Sequence, residues 1–314
     1  MSNVLFIKTS SLGDVIHHMP AVVDARKASP ETAFSWLVEE AFAPLVRLHP
    51  AISHVVPVAW RRWRKSLYAP PTISEIAASL RDIRDHHFDD IVDTQGLLRS
   101  ALIARVARGR RHGYDSSSIR EPLASVFYDV RYRVSRDLHA VERNRALSGL
   151  ALGYSPQRAP DFGLDRARFS RPGQRYGLLL HATARPEKLW PEDNWIALGK
   201  RLDRNIALRL PWGTDIERER SERIATAIPG AGVEERKPLD QVAGLIAGAQ
   251  FVIGVDTGLL HLAAALGVPL VAIFTGSRPG LTGPVGSGPI AILGADGAPP
   301  AVDAVVDAVE NVLR

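Results

Sequence analysis

The sequence predicts an α/β protein made of two doubly wound, parallel-sheet domains that face each other across a cleft. Three observations lead there. Short apolar runs of strand character alternate with helical stretches along the chain, an order that favours βαβ units over hairpins. One stretch rich in Pro, Gly and Arg, Gly153 to Gly173, interrupts the alternation and marks a linker. Both halves open alike, on a strand followed by a polar loop bearing a lysine, Lys8 in the first and Lys188 in the second. The expected domains are residues 1–160 and 161–314, with the final helical segment free to pack back on the first. At 314 residues and 46% hydrophobic content the chain can bury two such cores.

In the first half the expected strands are Val4–Ile7, Phe34–Val38, Val55–Val58 and Asp90–Val92, with helices over Leu97–Ala107 and Ala140–Leu152. The loop Lys8-Thr9-Ser10-Ser11-Leu12-Gly13-Asp14 follows the first strand. Its small residues allow a ligand close to the backbone, and Asp14, at the end of a strand, could act as general base for an acceptor hydroxyl. The same carboxylate could simply cap the helix that begins there. The loop lacks the Gly-x4-Gly-Lys-Ser/Thr order of a P-loop.

In the second half strands are expected over Leu178–Leu180, Ile206–Leu210, Phe251–Val255 and Leu270–Phe274, with helices over Pro191–Leu202, Asp215–Ala227 and Leu239–Ala247. The run Phe251 to Val255 stops at Asp256-Thr257-Gly258 and resumes as an Ala/Leu-rich helix closed by Gly267. A strand entering a helix through so tight a turn aims backbone N–H groups at the crevice, which favours a phosphate or pyrophosphate. A well-capped helix would look the same. The loop from His181 holds Thr183, Ala184 and Lys188, and an ammonium beside a hydroxyl suits a leaving diphosphate. Otherwise Lys188 pairs with Glu187 or a neighbouring acid at the surface. Glu217, just inside the helix after Leu210-Pro211-Trp212-Gly213, could hold a ribose or serve only the helix dipole. His261 either faces the crevice or is an ordinary core histidine.

There is no cysteine, which excludes a disulfide scaffold and thiolate metal sites. No Cys/His cluster and no Asp-x-Asp pair appears, so neither a metal nor another cofactor is expected, and Lys188 with helix-terminal amides would carry the electrostatic load. The start Met1-Ser2-Asn3 has no signal-peptide character. Gly258 to Gly276 is nineteen residues without Asp, Glu, Lys or Arg, yet Gly267-Val268-Pro269 divides it into a buried helix and a strand rather than a membrane span. Residues 1–153 hold 21 Lys and Arg against 16 Asp and Glu, whereas the remainder holds 18 of each. The excess of +5 therefore belongs to the first half, as it would if that half met an acidic partner. Its densest cluster is Trp60-Arg61-Arg62-Trp63-Arg64-Lys65, joined by Arg108 to His112 and by Arg120. Such clusters bind phosphates and carboxylates, lie on anionic membranes, bind single-stranded nucleic acid, or are only solvated loops.

Several segments in this order and spacing resemble the ADP-heptose glycosyltransferase family of lipopolysaccharide biosynthesis. They are Lys8 to Asp14, Val38-Glu39-Glu40, Arg61 to Lys65, Asp93 to Leu97, Arg120 to Ser125, His139 to Arg143, Leu210 to Gly213, and Val255 to Leu259 with His261. The resemblance spans essentially the whole chain and implies a GT-B fold, donor on the C-terminal half and acceptor on the N-terminal half. It implies inverting transfer of heptose from ADP-L-glycero-β-D-manno-heptose to Kdo of Kdo-lipid A, without metal or nucleic acid, at the cytoplasmic face of the inner membrane. By resemblance Asp14 is the base. Thr183, Ala184, Lys188, Thr257 and Gly258 line the diphosphate, Glu217 the ribose, Lys237 the adenine, and Asp256 and His261 the heptose. Ser10, Gly13, Arg61, Arg64 and Arg120 meet the acceptor. Where the family often carries a second threonine, this chain has Ala184, losing a hydroxyl contact of about 1 kcal/mol. With base and diphosphate on different domains, catalysis is expected to need cleft closure. An epimerase or another nucleotide-sugar transferase of the same architecture is the nearest rival, and a nucleic-acid-binding module a remote one.

Overall fold

The computed structural model describes residues 2–156, 159–169, 175–202, 205–277 and 279–314. The chain divides into two compact units, Met1–Gly163 and Leu164–Arg314. Of the expected linker, residues 157–158 and 170–173 lie outside the described residues.

The first unit runs β1 (Asn3–Ile7), α1 (Leu12–Ala28), β2 (Ala33–Glu39), α2 (Ala43–Val46), β3 (His54–Val58), α3 (Trp60–Trp63), α4 (Pro70–Asp85), β4 (His87–Asp93), α5 (Leu98–Val106), β5 (Arg108–Tyr114), β6 (Val130–Tyr132) and α6 (Ala140–Leu152). Its six strands are all parallel, in the order β3-β2-β1-β4-β5-β6. The central strand is buried almost throughout, Val4 to Ile7 at 2% exposure or less, because helices cover both faces. Helix α6 lies on α1 and is tied to it by polar contacts. Arg145, itself buried, pairs with Asp24 at 2.7 Å, and Asn144 donates to the His17 carbonyl.

The second unit runs β7 (Tyr176–Leu180), α7 (Glu192–Arg201), β8 (Ala207–Leu210), α8 (Asp215–Thr226), β9 (Ala231–Val233), α9 (Leu239–Gly248), β10 (Phe251–Val255), α10 (Gly258–Ala265), β11 (Leu270–Phe274), β12 (Ile290–Gly294) and α11 (Val302–Leu313). These strands are parallel too, in the order β12-β11-β10-β7-β8-β9. Counted from the start of each unit, both sheets have the order 3-2-1-4-5-6 of the doubly wound nucleotide-binding fold. The apolar face of α11, Val305, Ala308, Val309 and Val312, joins the core of this second sheet. The charge-free run resolves into α10, a turn with Gly267 at φ 67°, and β11.

Four strands lay hidden in the sequence: β5, β6, β9 and β12. The Arg108-Gly109-Arg110-Arg111-His112 run, expected as part of a basic surface, is β5. It has no apolar alternation because its outer residues are solvated, while Arg111 bridges Asp129 at 2.5 Å and His112 sits 2.8 Å from Asp90. Pairing with β4 makes it a strand; its own composition does not.

Candidate active site

In each unit the chain leaves two adjacent strands in opposite directions, β1 and β4 in the first, β7 and β10 in the second. Such switch points open a crevice beyond the carboxyl ends of the strands, where ligands bind in this fold. The residues singled out from sequence lie largely at these two places.

At the second switch point Asp256, at the end of β10, gathers the groups around it. Lys188 Nζ approaches Asp256 Oδ2 at 2.5 Å, the Ser277 hydroxyl donates to the same oxygen at 2.6 Å, and His261 Nε2 lies 3.8 Å from Oδ1. The Thr183 hydroxyl donates to the Asp256 carbonyl at 2.9 Å, tying the loop after β7 to the end of β10. Burial raises the Asp256 pKa, but His261, Lys188 and Ser277 outweigh it and hold the carboxyl well below its usual range. Lys188 is therefore in a largely buried ion pair with a fixed partner, not in a surface pair with Glu187. Thr257 caps α10 with extended backbone but makes no side-chain capping bond. Among the described residues, the N–H groups of Thr257, Gly258 and Leu259 take no protein acceptor. An ammonium, two hydroxyls and an open helix start thus converge on one spot, an arrangement suited to a diphosphate.

Further along this edge, Glu217 Oε2 accepts from the backbone N–H of Gly213 at 2.7 Å and Thr214 at 3.0 Å, completing a capping box with Thr214. Its other oxygen accepts no hydrogen bond among the described residues. Lys237 pairs with Glu234 at 3.2 Å, and the Glu234 carbonyl accepts from the Trp212 indole. Ala184 is exposed.

At the first switch point Asp14 sits at the third position of α1. Its Oδ2 accepts from the Ser11 N–H at 2.7 Å and the Ser11 hydroxyl at 3.0 Å. Capping and catalysis, posed as alternatives, are compatible, since the cap uses only one carboxylate oxygen. Ser10 gives its N–H to Gln95 Oε1 and its hydroxyl accepts from Arg99, which leaves that hydroxyl's own proton and one lone pair for a ligand. Gly13 is buried in the helix start.

The basic cluster is a single helical turn, α3, with its residues in different employment. Arg62 bridges Glu40 and Glu75, whereas Arg61 lies over the Phe42 ring and Arg64 and Arg120 are exposed. The buried Glu39 carboxylate accepts the Arg61 N–H at 2.9 Å and so orients that turn.

Sequence reasoning gave no role to Ser277 or Thr275, nor to Gln95 within the Asp93–Leu97 segment. Thr275 and Ser277 both follow β11, and the Thr275 hydroxyl donates to the Glu187 carbonyl at 2.8 Å. No spacing along the chain links them to Asp256 or Lys188, because a parallel sheet joins strand ends that are far apart in sequence.

The chain superposes on the structure titled "E. coli heptosyltransferase WaaC with ADP" with a TM-score of 0.92 at 39% identity over 99% of each chain. It matches the structure of the same enzyme with ADP-2-deoxy-2-fluoro heptose at a TM-score of 0.90, covering 98% of this chain and 99% of that one. Fold and site together define a glycosyltransferase of the GT-B class. Residues 76–305 match the family model described as glycosyltransferase family 9 (heptosyltransferase), and the chain belongs to that family. It is 42% identical to lipopolysaccharide heptosyltransferase 1 of Escherichia coli K12, over 90% of this chain and 91% of that protein. It is 45% identical to lipopolysaccharide heptosyltransferase 1 of Pseudomonas aeruginosa, over 90% and 81%.

Proposed function

We propose that this chain is the first heptosyltransferase of the lipopolysaccharide inner core. It moves L-glycero-D-manno-heptose from ADP-heptose to a hydroxyl of Kdo on Kdo-lipid A. The observation that carries the reading is the Asp256 cluster beside the open start of α10, in a chain 42–45% identical to proteins of that name.

The donor binds the second unit. The α10 N–H groups, Thr183 and Lys188 take the diphosphate, Glu217 and Lys237 the nucleoside, and Asp256 and His261 the heptose. Asp14, on the first unit, removes the acceptor proton with the oxygen its cap leaves open. The acceptor oxygen forms its bond to the anomeric carbon as the bond to the diphosphate breaks on the opposite face, inverting the centre. The ADP leaves with its charge met by Lys188 and the helix start. Asp256 holds the ammonium in place, so that no reorganisation is needed as charge develops.

The acceptor groups are Arg61, Arg64 and Arg120, with Ser10 and Gly13 at the loop. Arg62, engaged by two carboxylates, orders the turn rather than binding. No helix among the described residues is long and apolar enough to cross a membrane. Peripheral contact with an anionic bilayer is supported by exposed Leu102, Leu123 and Val126 close in sequence to exposed Arg105 and Arg120. Co-sedimentation with anionic but not neutral vesicles checks it.

The deciding experiment is ADP release from ADP-heptose with Kdo-lipid A. Asp14→Asn keeps the cap geometry and the donor site, so turnover falls about 10²–10⁴-fold with donor affinity retained. Near-normal turnover in that variant would remove Asp14 from the mechanism. Heptose or its isomer released without acceptor would point to an epimerase.

A further inference from the structure

Both units share one strand order, and in the first the loop that leads into the switch-point helix is clamped by side chains. The three successive N–H groups leading from β1 to α1 are all engaged. Those of Thr9 and Ser10 are accepted by a single atom, Gln95 Oε1, at 2.9 and 3.0 Å, and that of Ser11 by Asp14. Two backbone donors facing one side-chain atom require an acceptor, so the amide oxygen of Gln95 must point into the loop.

Gln95 is itself fixed from behind. It is 8% exposed and stands two residues beyond the end of β4, where Asp93 Oδ1 accepts its N–H at 2.9 Å and that of Gly96 at 3.2 Å. Gly96 turns the chain at φ 66°, and the Tyr128 hydroxyl donates to the second Asp93 oxygen at 2.8 Å. Asp93 thus anchors Gln95, Gln95 anchors Thr9 and Ser10, and the next residue, Ser11, is the one that orients Asp14.

We propose that Gln95 is the positioning residue for the acceptor-side carboxylate: it clamps the loop whose last N–H holds Asp14 in one orientation. The assignment rests on Asp14 acting as the base. Gln95 touches neither sugar nor diphosphate. Its effect on the reaction passes through the backbone of residues 9–11, and a misdirected carboxylate loses proton transfer without losing the donor.

The test compares Gln95→Leu, which keeps the size but has no acceptor, with Gln95→Glu, which keeps an acceptor in place. Asp14→Asn is run alongside, with turnover, donor KM and amide exchange at Thr9 and Ser10 as readouts. Gln95→Leu should lower kcat 10- to 100-fold, leave donor KM within twofold, and speed exchange at both amides. Gln95→Glu should restore kcat to within about threefold of the native chain and restore protection. If Asp14→Asn abolishes turnover while Gln95→Leu keeps a native kcat, the clamp is overturned and the base stands. If Gln95→Leu loses donor binding along with kcat, or Gln95→Glu is no better than the leucine, positioning is wrong. If Asp14→Asn turns over normally, the base assignment fails and this inference with it.

Discussion

Lys188 and Asp256 show how one contact changes the meaning of two residues. Read along the chain, the lysine was a loop cation and the aspartate a possible helix cap. Folded, they are partners 68 positions apart. Because Lys188, His261 and Ser277 hold the Asp256 carboxyl below its unfolded value of 3.8, the folded state favours its ionised form. The stability this adds is fully present above about pH 3.8 and is lost as pH falls from there toward the lower folded value. Asp256→Asn should therefore cost about 1.5–3 kcal/mol at neutral pH, with a deficit against the native chain that narrows below pH 4. Thermal melts of both chains at pH 7, 4 and 3 measure it; an equal deficit at all three would contradict the assignment. Asp14 was the most legible candidate site residue, since its place after a strand and a small-residue loop is a local pattern. Gln95 and Ser277 were illegible, because what they touch comes from other strands.

Strands and helices were readable in proportion to how far they bury an unbroken apolar run. β1, β7, β10 and β11 are buried on both faces and stood out. β5 did not, because four of its first five residues are charged or glycine-compatible turns in appearance, and only partnership with β4 and β6 makes it extended. Its inner end nevertheless packs behind the candidate site. Gly113 packs against the Tyr128 ring so closely that a Cβ there would collide with it, and Tyr128 is the residue that holds Asp93. Gly113→Ala should destabilise the first unit by about 1–3 kcal/mol through overpacking. It should also lower turnover by displacing Tyr128, whereas the same change at Gly153, with open space around its Cβ position, should leave turnover alone despite its φ of 78°. Denaturant melts and the ADP-release assay on both variants decide it.

Across the whole molecule, each unit carries at least one histidine that burial holds in the neutral form. Burial holds His49 of the first unit and His181 of the second at a pKa of about 4, against 6.5 when exposed, and pushes His18 down as well. Between those values the unfolded chain binds protons that the folded chain refuses, so stability rises with pH from about 4 to 6.5 and falls as pH drops through that window. Each of His49 and His181 contributes on the order of 3 kcal/mol to this loss. Both units should therefore lose stability over the same acid range, with Tm declining steadily from pH 7 to 4.5. A flat Tm across that interval would show the rings to be protonated without cost.

Local chemistry was enough for some properties of this protein. Alternating buried runs announce parallel sheets, a single Pro/Gly/Arg-rich break announces two units, and the Asp256-Thr257-Gly258 segment announces a tight strand-to-helix turn. These follow from hydrophobic periodicity and backbone capping, which act over a few residues. Only the folded chain decided which N–H groups stay open and which are filled, and that Lys188 answers to Asp256, Arg62 to Glu40 and Glu75, and Ser10 to Gln95. The reason is physical: in a parallel sheet neighbouring strand ends are separated by whole crossover helices, so the partner of each polar group is set by strand order, which no short window of sequence contains.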